Sequence, residues 1–189
     1  MIIDGKRIEI IKANENYAEK FYEYLQELKD DPENYTVIRY QEVKLEDVNK
    51  IKWEDNPMFL ALEGNRIVGS LQIIRGKYFG IARQNHVGEL AYSVSKEFRG
   101  KGLIYALFSH ALENIKLKII TAWVDERNIR SQKLLEKLNF TKLGKINEFM
   151  YSLREGIYVN LLFYVGNADN ILRRAKEELE RRGIKYSDS

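Results

Sequence analysis

The stretch from Tyr92 to Ile104 constrains the fold of this chain more than any other. A β-rich run ends at Val94, a short polar and basic turn follows, and Gly102 opens an apolar-periodic segment. In that segment Ile104, Leu107, Phe108, Ala111 and Ile115 recur at i, i+3, i+4, i+7 and i+11, the period of a helix. Residues 118–124 then read as a buried strand, which pairs in parallel with the first across a right-handed crossover. The loop between strand and helix carries Arg99, Gly100, Lys101 and Gly102. Unpaired N–H groups at the first turn of a helix, beside two basic side chains, suit a phosphate or pyrophosphate. The same residues also suit a plain strand-to-helix connection. They are not a Walker loop, because Gly follows Lys101 where Ser or Thr is required.

Around this unit the pattern supplies the remaining elements. Residues 6–12 partly alternate and predict a first strand. Asn16 and Glu19 form a capping pair for a helix whose face is Ala18, Phe21, Tyr22, Leu25 and Leu28 and which ends before Pro32. An aromatic-rich connector covers residues 35–43, and a short helix is expected over residues 45–53. Strands are expected at residues 58–62 and 66–74, joined at Gly64-Asn65, and at residues 86–95, with a basic loop over residues 75–85. Asn128 starts a helix with Ser131, Leu134, Leu135 and Leu138 on one face. Strands over residues 140–153 and 157–165 meet at Glu155-Gly156, and a last helix begins at Asn167 or Asp169 and stops at Gly183. This order predicts a mixed α/β fold. No repeat, low-complexity tract or linker divides the 189 residues, so one domain is expected over residues 1–189, with a core at about 6–165 and a C-terminal helix at about 168–182.

Composition excludes several classes. Lys and Arg number 31 against 28 Asp and Glu, and the net charge of +3 forms no basic block, so no nucleic-acid partner is expected. With no cysteine there is neither a disulfide framework, a thiolate zinc site nor a cysteine nucleophile. The two histidines, His86 and His110, suggest no metal site, although His86 is a weak alternative as a base. No signal-peptide pattern is seen and the apolar runs are too short to span a bilayer, so no membrane association and a cytoplasmic location are expected.

Three motifs resemble the GNAT superfamily of acyl-CoA N-acyltransferases over roughly residues 6–165. The family's pyrophosphate signature, Q/RxxGxG/A, is matched by Arg99 and Gly102, with Ile104 where the last small residue usually stands. The family's N..A/S..LYEKLGF stretch is matched by Asn128, Ser131, Leu134, Glu136, Lys137, Leu138 and Phe140, while Leu135 replaces Tyr and Asn139 replaces Gly. Residues 86–94 are similar to the "hvgE....V" strand of the phosphinothricin and ribosomal-protein acetyltransferase-like branch. Residues 155–160 resemble that branch's "dGxyvD" ending, with Asn160 in place of Asp.

The resemblance implies a twisted, mostly antiparallel sheet with one central parallel β-loop-α-β unit and helices on both faces. It also implies transfer of an acetyl group from acetyl-CoA to an amine by direct attack in a ternary complex. Glu89 then stands as general base, Val94 as the backbone contact to the pantetheine arm, and Arg99, Gly100, Lys101, Gly102, Leu103, Ile104 and Asn128 as the CoA-binding set. A primary ammonium titrates near pH 10 and must lose a proton before it attacks, which gives a carboxylate its task. Glu89 equally suits a strand carboxylate paired with a nearby basic side chain, and Asn128 a helix cap. Because Leu135 cannot protonate a leaving thiolate, Tyr92 or Tyr105 is a candidate replacement. The acceptor classes are a protein N-terminus, a polyamine or a small amine. The resemblance admits a homodimer, and the departures from the motifs keep a non-catalytic CoA-binding or regulatory module as the alternative.

Overall fold

The computed structural model describes residues 1–185. Its strands are β1 (Ile2–Ile3), β2 (Lys6–Arg7), β3 (Glu9–Lys12), β4 (Met58–Glu63), β5 (Arg66–Phe79), β6 (Ala82–Val94), β7 (Ile119–Asp125), β8 (Thr141–Ser152) and β9 (Ile157–Asn167). Its helices are α1 (Ala18–Glu27), α2 (Val37–Tyr40), α3 (Leu45–Asn49), α4 (Leu103–Asn114), α5 (Ile129–Lys137) and α6 (Ala168–Arg181). β1 and β2 form a small hairpin, and the other seven strands form one sheet in the order β3-β4-β5-β6-β7-β9-β8. Every neighbouring pair in that sheet is antiparallel except β6 and β7, which α4 connects in parallel as the sequence pattern predicts.

Helices cover both faces. α4 is apolar nearly all round because it lies between the sheet and α6, and Leu103, Ala106, Leu107, Phe108 and Ala111 are buried in that layer. α6 contributes the stripe Ile171, Ala175 and Leu179 to the same core, and α5 contributes Leu135 and Leu138. On the opposite face Phe21, Tyr24 and Leu25 of α1, Ile38 of α2 and Val48 of α3 pack on Met58, Leu60 and Ile67.

Four local expectations are corrected. The loop expected over residues 75–85 is strand: β5 and β6 continue to a two-residue turn at Gly80 and Ile81, pairing Lys77 with Gln84 and Phe79 with Ala82. Gly76, a loop signal in the sequence, is the site of a bulge; its φ is 83°, and an added Cβ would lie 2.3 Å from Arg83 Nε. The connector over residues 35–43 contains α2, a single turn too short to show a period. The helix expected over residues 45–53 ends at Asn49. The first cap is Asn14, whose side chain accepts the Asn16 N–H at 3.0 Å and starts a short 3₁₀ turn before α1.

The feature that positions everything else is a split in the sheet. β6 and β7 share three residue pairs, Val87 with Ile119, Gly88 with Ile120 and Glu89 with Thr121. Beyond them β6 follows β5 as far as Val94, and β7 follows β9 as far as Asp125. Gly88 sits in this short ladder because a Cβ there would lie 2.7 Å from Ile73 and 2.9 Å from Leu117, both buried. Gly88→Ala is expected to destabilise the fold by about 1–3 kcal/mol through overpacking. Urea denaturation with an unchanged m-value checks this, and an unaltered midpoint would contradict it.

Candidate functional site

Where β6 and β7 part, a cavity of about 780 Å³ opens between residues 90–94 on one lip and 122–125 on the other. Backbone groups of β6 directed toward β7 have no strand partner past Glu89. Val94 is one of these residues: the next amide, Ser95 N–H, bonds Val68 O on the β5 side at 2.9 Å, so strand alternation turns Val94 toward the cavity. Its carbonyl accepts from Arg99 Nε at 2.9 Å.

The following loop is shaped by two glycines in the left-handed region, Gly100 at φ 74° and Gly102 at φ 92°. Gly102 caps α4 without any side-chain bond to its first turn. Gly100, Gly102, Leu103 and Ile104 all line the cavity, so the N-terminus of α4 faces it. The Ile104 side chain is half-buried against the central core. The two basic residues of the loop are engaged elsewhere. Arg99 pairs with Asp31 and lies 3.6 Å from Glu33, and its side chain is 13% exposed. Lys101 pairs with Asp4 and is absent from the cavity wall.

Asn128 lines the cavity and also caps α5, accepting the Ser131 N–H at 3.2 Å and donating to Ser131 Oγ at 3.0 Å. Glu89 is the last β6 residue in register with β7 and so stands at the apex of the split. Its carboxylate accepts from Lys77 Nζ at 2.5 Å and from Trp123 Nε1 at 3.2 Å, and the cavity lining starts one residue later, at Leu90. His86 is exposed at the start of the same stretch. Leu135 is fully buried. The Tyr92 hydroxyl is also buried, beside Ser131, and burial pushes its titration far above the usual phenol range, so it persists as a neutral O–H. Tyr105 lies under the guanidinium of Arg182 at 5.3 Å.

Two features had no signal in the sequence. One is Arg182, which reaches the loop from the end of α6. The other is a polar network around Asp125, whose side chain is 1% exposed. Arg127 holds it with a fork, Nε to Oδ1 at 2.9 Å and Nη2 to Oδ2 at 2.6 Å, and the Tyr40 hydroxyl donates at 3.0 Å. Arg127 and Arg39 both reach Glu155 at 3.1 Å, and both guanidiniums lie over the Tyr35 ring. Only the Asp-x-Arg spacing is local. The remainder joins α2, the end of β7 and the β8–β9 turn behind the part of the cavity that Tyr35, Val37 and Asp125 line.

Residues 11–140 match the acetyltransferase (GNAT) family. A Bacillus subtilis protein named, provisionally, as a ribosomal N-acetyltransferase is 30% identical over 84 residues, which are 42% of this chain and 45% of the relative. The match thus spans less than half the length of that curated relative. Among solved structures, ribosomal-protein-alanine N-acetyltransferase from Brucella melitensis superposes with a TM-score of 0.69 at 19% identity, covering 84% of this chain and 99% of that one. The yncA protein of Salmonella typhimurium, solved with its cofactor acetyl-CoA, gives a TM-score of 0.67 at 17% identity, covering 86% and 94%.

Burial alone would raise the Asp125 carboxyl, but hydrogen bonds from the Arg127 side chain and backbone and from Tyr40 hold it below its ordinary value of 3.8. A depressed carboxylate contributes stability that is present above its unfolded pKa and lost as pH falls through its lower folded value. Stability is therefore expected to decline on acidification below about pH 4. Asp125→Asn should cost about 1–3 kcal/mol at pH 7 and flatten that acid decline. Denaturant titrations at pH 7 and pH 3 read both effects.

Proposed function

This chain belongs to the acetyltransferase (GNAT) family, and from that membership we propose that it transfers the acetyl group of acetyl-CoA to an amine by direct attack. The family's co-substrate supplies an activated thioester. The observation that carries the reading is the split sheet with an α-helix N-terminus at its mouth. Strand edge and helix end offer backbone donors along one continuous cavity.

The residues of this chain then have distinct tasks. The amides of residues 102–104 face an anion, and Gly100 and Gly102 keep the backbone accessible there. Val94 offers its N–H to the pantetheine arm, while Arg99 holds the neighbouring backbone in place by bonding the Val94 carbonyl. Arg99 thus acts by positioning, with its charge already neutralised by Asp31. Asn128 contributes from the start of α5.

Glu89 takes the proton from the incoming ammonium. In this structure Lys77 Nζ holds that carboxylate at 2.5 Å, so the ion pair must open before Glu89 meets an incoming amine. Trp123 Nε1 fixes the same oxygen and orients it. A thiol titrates near 8.5, so its thiolate is a tolerable leaving group without a dedicated acid, which fits the fully buried Leu135. The acceptor is an amine: a protein N-terminus, a polyamine or a small amino compound. Among the described residues no helix is long and apolar enough to cross a membrane. A cytoplasmic location belongs to the proposal and fits the cysteine-free sequence.

Calorimetric titration with acetyl-CoA tests the first link, and a folded protein that binds none refutes the reading. With an accepted amine, Glu89→Gln should lower kcat by about 10²–10⁴-fold and leave acetyl-CoA affinity unchanged. Binding without release of free CoA across a broad amine panel would favour the non-catalytic module, the reading that the buried Leu135 keeps in view.

A further inference from the structure

We propose that Arg182, at the end of α6, is a ligand of the co-substrate's pyrophosphate, so that the C-terminal helix completes a site whose other parts lie some eighty residues earlier. This rests on the acyl-CoA reading of the cavity given above.

The cations near the start of α4 lead to this assignment. Arg99 is engaged by Asp31, Glu33 and the Val94 carbonyl, and Lys101 by Asp4. Lys101 is absent from the cavity wall, and Arg99 lines it with its charge already opposed by Asp31 and Glu33. Arg182 is placed differently. Its Nη1 donates to Gly100 O at 2.9 Å, its guanidinium lies over the Tyr105 ring at 5.3 Å, and it lines the cavity beside Gly100, Gly102 and Leu103. Its acidic neighbour, Glu178, is 3.8 Å from Nε, whereas Arg181 and Lys137 approach the same oxygen at 2.7 and 3.2 Å. Glu178 is therefore shared by three cations, and Arg182 keeps most of its field.

The geometry adds two points. A guanidinium has five N–H donors in one plane, and the bonds to Gly100 and the stacking on Tyr105 use one donor and one face. Donors remain for phosphate oxygens. The Gly100 carbonyl, which would repel an anion, is at the same time covered by a cation. Gly102 is fitted to the same contact: a Cβ there would lie 2.5 Å from Ile184 and 3.1 Å from Arg182 Cδ, so the chain's last described turn packs directly on the loop. The family match ends at residue 140 and does not reach Arg182.

The test is calorimetry at low salt with CoA, 3′-dephospho-CoA and pantetheine on the wild type, Arg182→Gln and Arg182→Lys, with melting temperatures confirming that each variant folds. Arg182→Gln should weaken CoA and 3′-dephospho-CoA alike, by about ten-fold or more, and leave pantetheine unchanged. Arg182→Lys should fall between, because it keeps the charge and loses the fork. Equal CoA affinity for wild type and Arg182→Gln overturns this inference and leaves the acyl-CoA reading standing. An effect seen with CoA but not with 3′-dephospho-CoA also overturns it, since the ligand would then be the 3′-phosphate. A folded wild type that binds no CoA removes both. If Arg182→Gln does not fold, Arg182→Lys decides: CoA and 3′-dephospho-CoA affinities equal to wild type overturn the inference, and a loss for both with pantetheine unchanged supports it.

Discussion

The architecture depends on a parallel ladder that stops after three residue pairs. Had β6 and β7 stayed in register to Val94 and Asp125, the sheet would have been continuous and its backbone groups satisfied within it. By stopping at Glu89, the ladder leaves strand edges that face each other without touching, and unpaired amides in a partly apolar recess are costly unless something bonds to them. The helices hold the two halves together in one core: α4 packs on β4 and β5, α6 on α4 and β9, and α5 on β8. The opening is therefore a property of a well-packed fold and not of a weak one.

Charge around the opening is arranged to hold segments in place. Asp31 and Glu33 tie the stretch after α1 to Arg99 and to Arg130 of α5. Asp125, Arg127, Arg39 and Glu155 do the same for α2 and the β8–β9 turn. Such partly buried ion pairs contribute little net stability relative to apolar packing, but they fix the geometry of a wall built from segments distant in sequence. At the helix end Arg99 and Lys101 are paired with carboxylates, and Arg182 reaches the loop from α6.

Much of this was legible in the residues. The helical period from Ile104 to Ile115, the apolar run that becomes β7 and the Asn128 cap are local signals, and the motifs around Arg99 and Glu89 pointed to the same family that residues 11–140 match. What was illegible is what depends on partners far along the chain. Residues 75–85 carry glycine and charge and read as loop, yet register with one another makes them strand, with Gly76 as a bulge. Arg99 and Lys101 sit at the right place for an anion, but Asp31 and Asp4 decide where their charges go. Arg182 has no motif, and only the packing of α6 on α4 brings it to the loop.

The brevity of the β6–β7 ladder also bears on how the chain reaches this state. β4, β5 and β6 form a meander through short turns and β8 and β9 form a hairpin, contacts close in sequence, whereas β3 with β4 and β7 with β9 pair across longer separations. Joining the two wings of the sheet requires closure of the long segment between Glu89 and Thr121, rewarded by three strand pairs and by the packing of α4 on α6 and the sheet. Loop-closure entropy therefore falls on the seam, and the cavity exists only once this non-local contact is made. Seen this way, the recess marks the seam between a meander and a hairpin, and it takes shape only when distant parts of the chain have met.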